Sequence, residues 1–273
     1  MVLPFLLTGL VLLFDRTVRR IGAAVLPSTV IPRQVLVLAT LAILTHPILD
    51  TLNTYGVRWL MPFRSDWFYG DTLFIVDPWM WLILGAGVAL SRGRRRTRPA
   101  RLALAVALGY VVGMALLGGA ARRIATRELS ESGGRPERLM LSPRLLTPLV
   151  RDVVAAEGEH YLLGTFRWLS SPHIDTASLR TVPRPRADDP ALTAARGTEL
   201  GHRFLGWARF PAVSVEPRAV GGSLVHLVDL RYADRPGARF GAVTLPLLIP
   251  PAFAPSPDSA GPSPPAAPAA RVR

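Results

Sequence analysis

The stretch Leu102-Ala-Leu-Ala-Val-Ala-Leu-Gly-Tyr-Val-Val-Gly-Met-Ala-Leu-Leu-Gly-Gly-Ala120 contains no charged residue. About 20 predominantly apolar residues are needed to cross the hydrocarbon core of a bilayer, so this run is read as a membrane helix. Three further apolar runs precede it: Met1–Phe14, Val35–Leu49 and Phe74–Leu90. Phe74–Leu90 is of borderline length and carries Asp77 near its start. Val35–Leu49 is short and polar at its end, and Met1–Phe14 reads as the second part of a longer helix. With 49% hydrophobic residues and a mean hydropathy of +0.29, 273 residues are read as an integral membrane protein. The expected fold class is α+β, an α-helical membrane bundle followed by a small antiparallel β-rich soluble domain.

The net charge of +13 is carried by arginine alone, as the chain has no lysine. These arginines cluster between apolar runs and do not stripe one face, and no RNA-binding signature accompanies them, so nucleic acid is not an expected partner. The expected partner is the lipid bilayer. The chain has no cysteine, which removes disulfides, thiolate metal sites and Cys nucleophiles. A signal peptide fits the N-terminus poorly, because a basic leading segment is missing and Asp15-Arg16 through Arg19-Arg20 stand where a cleavage site belongs. Arg16, Arg19, Arg20 and Arg33 follow the first run, and Arg92, Arg94, Arg95, Arg96, Arg98 and Arg101 follow the third. The segment between the second and third runs has only Arg58 and Arg64 beside Asp50, Asp66, Asp71 and Asp77. Positive loops stay cytoplasmic, so Asp50–Asp77 and the C-terminal half are expected on the outer face. Gly109 and Gly113 form a GxxxG pair, expected to serve intramolecular helix packing, with dimerisation as the alternative.

The segment from Leu44-Thr-His-Pro-Ile-Leu-Asp-Thr-Leu-Asn-Thr-Tyr-Gly56 to Asp71-Thr-Leu-Phe-Ile-Val-Asp-Pro78 carries the candidate chemistry. Residues four apart on a helix differ by about 40°, so His46 and Asp50 share a face. Such a pair can bind one divalent metal, or the acid can simply orient the ring. Pro47 removes a backbone donor and is expected to kink the helix. Asp71 and Asp77 lie among large apolar residues, and acids at a membrane boundary are functional candidates. Each has a plainer reading. His46–Asp50 can be a hydrogen-bonded pair closing a helix end, and Asp71 a solvated loop acid. Asp77-Pro78 reads as an ordinary helix start, with an Asp cap and Pro at the first position. Trp59, Trp67, Trp79 and Trp81 fit an interfacial belt.

His46, Leu49 and Asp50, then Thr54, Tyr55 and Gly56, then Pro62 and Phe63, and finally Asp71, Phe74, Ile75, Asp77 and Pro78 form a pattern. It resembles the signature of the bacterial inner-membrane metal-dependent hydrolases of the YdjM/YbcI-like family. That family's H-x-x-x-D element is similar to those of zinc-dependent phospholipase C and S1/P1-type nucleases, so the resemblance implies phosphoester hydrolysis. Its members carry an H-R-G-x-T-H element ahead of the first membrane helix, whereas no histidine precedes His46 in this sequence. The expectation is that the coding sequence continues upstream of Met1 and supplies two histidines. An in-frame stop codon directly before Met1 would defeat it.

After residue 121 the composition changes. Arg122–Ser130 reads as a short amphipathic helix leaving the membrane, broken at Gly133-Gly134-Arg135-Pro136. Strands are expected at Tyr161–Leu169, Arg203–Pro211 with Val213–Val215, Leu224–Tyr232 and Arg239–Leu248. His160, His173, His202 and His226 are too scattered to read as ligands, and no G-x-S-x-G, P-loop or dinucleotide fingerprint is present. The expected domains are 1–121 in the membrane, 122–250 soluble and β-rich, and a disordered Pro/Ala-rich tail over 251–273.

The functional expectation is a hydrolase of the inner membrane acting on a phosphoester at the membrane boundary. His46 and Asp50 would hold a divalent metal, zinc for preference, with Asp71 and Asp77 as further ligands or catalytic acids. The rival is a non-enzymatic membrane anchor that presents the soluble β domain to an envelope partner. Fusions at about residue 125 test the topology: alkaline phosphatase should be active there and a fluorescent protein dark, and the reverse result would overturn the arginine-based orientation.

Overall fold

In the computed structural model, residues 2–20, 30–94, 96–218, 221–233 and 240–248 are described. The chain divides into two compact units, Met1–Ile75 and Val76–Arg273. The first is a helix pair, α1 (Leu3–Arg20) packed on α2 (Pro32–Thr51). Pro32 starts α2, where its fixed φ suits the first turn, and the helix runs on through Pro47 without interruption. Buried polar atoms on these helices are satisfied locally: the hydroxyls of Thr8, Thr40 and Thr51 donate to the carbonyls of Pro4, Leu36 and Pro47.

The second unit opens with α3 (Pro78–Arg94) and α4 (Arg98–Glu131). They pack as an antiparallel hairpin. Ala100 N–H donates to Ser91 Oγ (2.9 Å) near the turn, and Tyr110 O–H donates to Asp77 Oδ2 (2.9 Å) at the open end. Close approach occurs at Gly87, where a Cβ would lie 2.3 Å from that of Ala103. Gly109 and Gly113 take no part in this, since a Cβ at either would meet nothing within 4 Å. The expected use of the GxxxG pair in intramolecular packing is therefore not what joins α3 to α4. Two helices, Pro32–Thr51 and Arg98–Glu131, are long and apolar enough to cross a membrane. α1 ends in Asp15, Arg16, Arg19 and Arg20, and α3 starts at Pro78, later than the expected Phe74.

α4 has 34 residues, about 51 Å of helix at about 1.5 Å per residue. It absorbs both the apolar run and the separate helix expected over Arg122–Ser130. The expected boundary at residue 121 thus falls inside one helix. The reason is packing: Ala121, Ala125 and Leu129, at helical spacing, enter the core of the following sheet with Leu141, Val153, Phe166 and Ile174. That sheet is an antiparallel meander of β1 (Arg138–Arg144), β2 (Thr147–Glu157), β3 (His160–Arg167) and β4 (His173–Pro183), in that order. From β2, the fully buried Arg151 reaches α4, donating to the carbonyls of Met114 (3.0 Å) and Leu141 (3.2 Å). Its guanidinium lies so near Gly118 that a Cβ there would stand 3.2 Å from Nη1.

Two short helices follow, α5 (Pro190–Arg196) capped by Asp189 and α6 (Glu199–Trp207) capped by Thr198. They cover a second antiparallel sheet of β5 (Pro211–Pro217), β6 (Ser223–Asp229) and β7 (Ala242–Leu247). A buried ion pair, Arg231 Nη2 to Asp229 Oδ2 at 2.7 Å, closes its end, with Arg231 also donating to the Trp207 carbonyl and lying over the Trp207 ring. The strand expected over Arg203–Pro211 is instead the end of α6 and a turn; Gly201 and Phe204 bury one face at helical spacing. The sequence gives no sign of β1, β2 or β4, while β5 contains the expected Val213–Val215 and β3, β6 and β7 fall within two or three residues of the expected runs. The 251–273 tail lies outside the described residues.

Ala125→Leu should overpack the helix–sheet seam and lower stability by about 1–3 kcal/mol in thermal unfolding of detergent-solubilised protein. On the sheet surface, hydrogen bonding from the Arg167 guanidinium holds the Asp175 carboxyl below its usual range. A lowered folded-state pKa gives stability that is present above the unfolded carboxylate pKa and is lost as pH falls through the folded value. Asp175→Asn should therefore lower Tm at neutral pH and flatten the acid limb of a Tm-against-pH curve below about pH 4, with the two proteins converging at low pH.

Candidate functional site

The end of α2 and the chain that returns over it build the site of the first unit. His46 and Asp50 sit one turn apart, with Nε2 3.3 Å from Oδ2. His46 is mostly open to the surroundings, its side chain 77% exposed. The other oxygen of Asp50 accepts a short hydrogen bond from the Tyr55 hydroxyl, which in turn accepts from Asn53 Nδ2 at 3.4 Å. Asp50 is thus engaged on both oxygens.

Chain reversal after α2 explains the spacing of the Thr-x-Tyr-Gly element. Gly56 has φ +85°, and a Cβ there would stand 2.4 Å from the Tyr69 ring, so only glycine fits. The returning strand-like segment then caps the helix end. Gly70 and Asp71 N–H donate to Asn53 O, and Thr72 and Leu73 N–H to Leu52 O, satisfying carbonyls that a helix C-terminus leaves open. A Cβ on Gly70 would meet the Thr51 carbonyl oxygen at 2.3 Å. Asp71 is buried here with a left-handed backbone, φ +48°. The loop between is apolar and outward: Trp59, Leu60, Met61 and Phe63 are exposed, Phe63 most of all. Arg58 stacks on Trp67, and Trp67 on Tyr69.

Asp77 belongs to the other unit. Its Oδ1 accepts from Met80 N–H (3.1 Å), the side-chain cap expected ahead of Pro78, and its Oδ2 accepts from Tyr110. Of the four expected residues, the structure therefore joins His46 to Asp50 directly and seats Asp71 against the end of the same helix, while Asp77 caps α3. Among the described residues, no group of three or more His, Cys, Asp or Glu side chains is arranged to hold a metal ion. One imidazole beside one carboxylate already bonded to a tyrosine does not fit a multi-zinc centre. His173 and His226 bond to Ser171 O and to Thr244 Oγ1 with Glu216, as ordinary surface histidines do.

Tyr55 and Tyr110 are the polar partners that sequence reasoning missed. For Tyr110 a signal existed, as it is the one polar side chain in Leu102–Ala120. Tyr55 offered only its place in the motif.

The first unit is thus a pair of helices, the second long and apolar enough to cross a membrane, that ends in a glycine-dependent, carboxylate-bearing turn. Residues 1–121 match the family described as YdjM inner membrane protein. Over those residues the chain is similar to that family, described as one of inner membrane proteins. No curated protein and no solved structure matches the chain.

Gly56→Ala should destabilise the first unit by more than the roughly 1–2 kcal/mol of the left-handed backbone alone, because the Tyr69 ring must also move. Tyr55→Phe, which loses one hydrogen bond to a charged group, should cost about 1.5–3 kcal/mol. Thermal unfolding in detergent distinguishes the two, and equal, negligible effects would mean that the turn is not built as described.

Proposed function

We infer that this chain is a multi-pass inner-membrane protein that anchors its β-rich domain at one membrane face, the outer one by its arginine distribution. The observation that carries this reading is α4, one helix from Arg98 to Glu131. Its first half is apolar and outward-facing, with Leu104, Leu108, Val112 and Leu116 exposed, and its second half is buried in the sheet core. A helix shared by both environments holds the domain at a fixed distance from the bilayer, which a flexible linker would not do. The α3–α4 hairpin supports a second crossing, since α3 runs alongside the apolar half of α4 for 17 residues. In this reading the site at the end of α2 is a polar clasp: Asp50, Tyr55 and Asn53 close the helix end and orient the loop that follows.

The hydrolase reading has one observation of its own, the exposed His46 imidazole beside Asp50. In that reading His46 and Asp50 bind a divalent metal, with zinc the preferred ion and a phosphoester the substrate class. Asp71 and Asp77 are the remaining acids it would draw on.

Metal content separates the two. Full-length protein purified in detergent without chelators should contain less than one zinc per chain, and His46→Ala should leave that content unchanged. Stoichiometric zinc that disappears in His46→Ala would establish the metal site and retire the anchor reading.

A further inference from the structure

The four-stranded sheet has two unlike ends. At one, the β2–β3 turn reads Glu157-Gly-Glu-His160, and Arg184 and Arg186 pair with Glu137 and Glu159. At the other, the two-residue β1–β2 turn is Leu145-Leu146, Leu149 follows, and Leu169 stands in the β3–β4 turn. All four leucines are exposed, Leu146 by 59% and Leu169 by 68%. Trp168 N–H donates to Leu149 O at 3.0 Å, which ties the second turn beside the first. Two-residue hairpins in water select Asn-Gly or Asp-Gly, because the turn demands positive φ. Leu146 adopts φ +64° instead, a conformation costly for a residue of its kind. The strained apex therefore spends its side chain on an apolar tip that nothing in its own unit covers.

This tip lies close to the apolar half of α4. Arg151, which binds the Met114 carbonyl, is two residues beyond Leu149 and five or six beyond the Leu145–Leu146 turn. At about 3.3 Å per residue the tip is within about 7–20 Å of Arg151 along the strand. Around Met114, Val112 and Leu116 point outward and are exposed. The sheet is fastened there by a buried guanidinium and by the Ala121–Leu129 seam, so the tip has no freedom to swing away.

We propose that the leucine tip of the β1–β2 and β3–β4 turns is immersed in the interfacial layer of the same bilayer that α4 crosses. The lipid surface is its occupant, making the sheet a second membrane contact. Contiguous exposed apolar surface on a folded domain marks a partner or a membrane, and the helix that carries this domain supplies the membrane at the right distance. Just behind the leucines, Arg144 and Arg167 are half-exposed while paired to Asp152 and Asp175, the level at which amphipathic cations meet headgroups. The proposal rests on the reading of α4 as a membrane helix.

The chain has no cysteine, so single labelling sites are available without background. Spin labels would be placed at Leu146→Cys, Leu169→Cys, Glu159→Cys and Leu116→Cys in the full chain, reconstituted in bilayers of phosphatidylethanolamine and phosphatidylglycerol. Collision with oxygen against a water-soluble nickel chelate is then read at each. Labels at 146 and 169 should show an oxygen-to-nickel ratio several-fold above that at 159 and approaching that at 116. A lipid-like ratio at 116 with water-like ratios at 146 and 169 overturns the tip proposal and leaves the membrane helix standing. Shielding of 146 and 169 from both reagents overturns it in favour of a protein partner. A water-like ratio at 116 removes the membrane-helix reading, and the tip proposal with it.

Discussion

A buried guanidinium bonded to the backbone of an apolar helix is the contact on which the larger unit depends. Arg151 is fully buried, and it is fastened to Leu141 in its own sheet and to Met114 in α4. A charge in such a place must be offset by hydrogen bonds, and these two carbonyls supply two of them. Carbonyls in a regular helix already accept one bond, yet each retains a second lone pair, and Arg151 uses that of Met114. The consequence is positional. The sheet is locked to one level of the helix, where Gly118 leaves room for the guanidinium and the small side chains of Ala121 and Ala125 let the strands come close. The four-stranded sheet inherits its location from that seam.

The smaller unit obeys a different constraint, the open carbonyls at the end of α2. Four backbone N–H groups from Gly70 to Leu73 supply them, and the chain can return to do so only because Gly56 turns it with positive φ and Gly70 passes against Thr51. The motif residues around His46 and Asp50 thereby acquire a structural explanation independent of any catalytic one. Tyr55 and Asn53 hold Asp50, and Asp71 is buried where the returning segment meets the helix. Asp77, the last acid of the pattern, caps α3 and receives the Tyr110 hydroxyl. In both units, acids that appear as a chemical cluster along the sequence are spent on closing helix ends. Of the four candidate residues, His46 keeps the most exposed side chain.

Periodicity and composition carried the helices well, because a long uncharged run admits few other structures. α2 and α4 contain the runs at Val35 and Leu102, and the family pattern around His46 was legible from residue types alone. The Asp77-Pro78 helix start was equally plain, since a side-chain acceptor followed by proline is a local device. Three of the later strands could be read from apolar runs bounded by Gly, Pro and Asp. β1 and β2 escaped because charged residues interrupt them: Arg151-Asp152 breaks the apolar run of β2, and only the fold reveals that this arginine is internal.

What the sequence determined by itself was therefore local: which segments are apolar helices, where a proline or glycine must start or reverse the chain, and which residues carry the resemblance to a family. Tertiary structure alone decided the partners. That Asp50 bonds Tyr55, that Asp77 bonds Tyr110 across 33 residues, and that Arg151 reaches Met114 across 37 are not encoded in any local period. Nor does composition reveal that residue 121 lies inside one helix, because hydropathy records the change of surroundings from lipid-like to sheet-like while the backbone helix passes through it unbroken. A helix is sustained by bonds four residues apart whichever neighbours cover its faces, and those neighbours are supplied by strands distant in sequence.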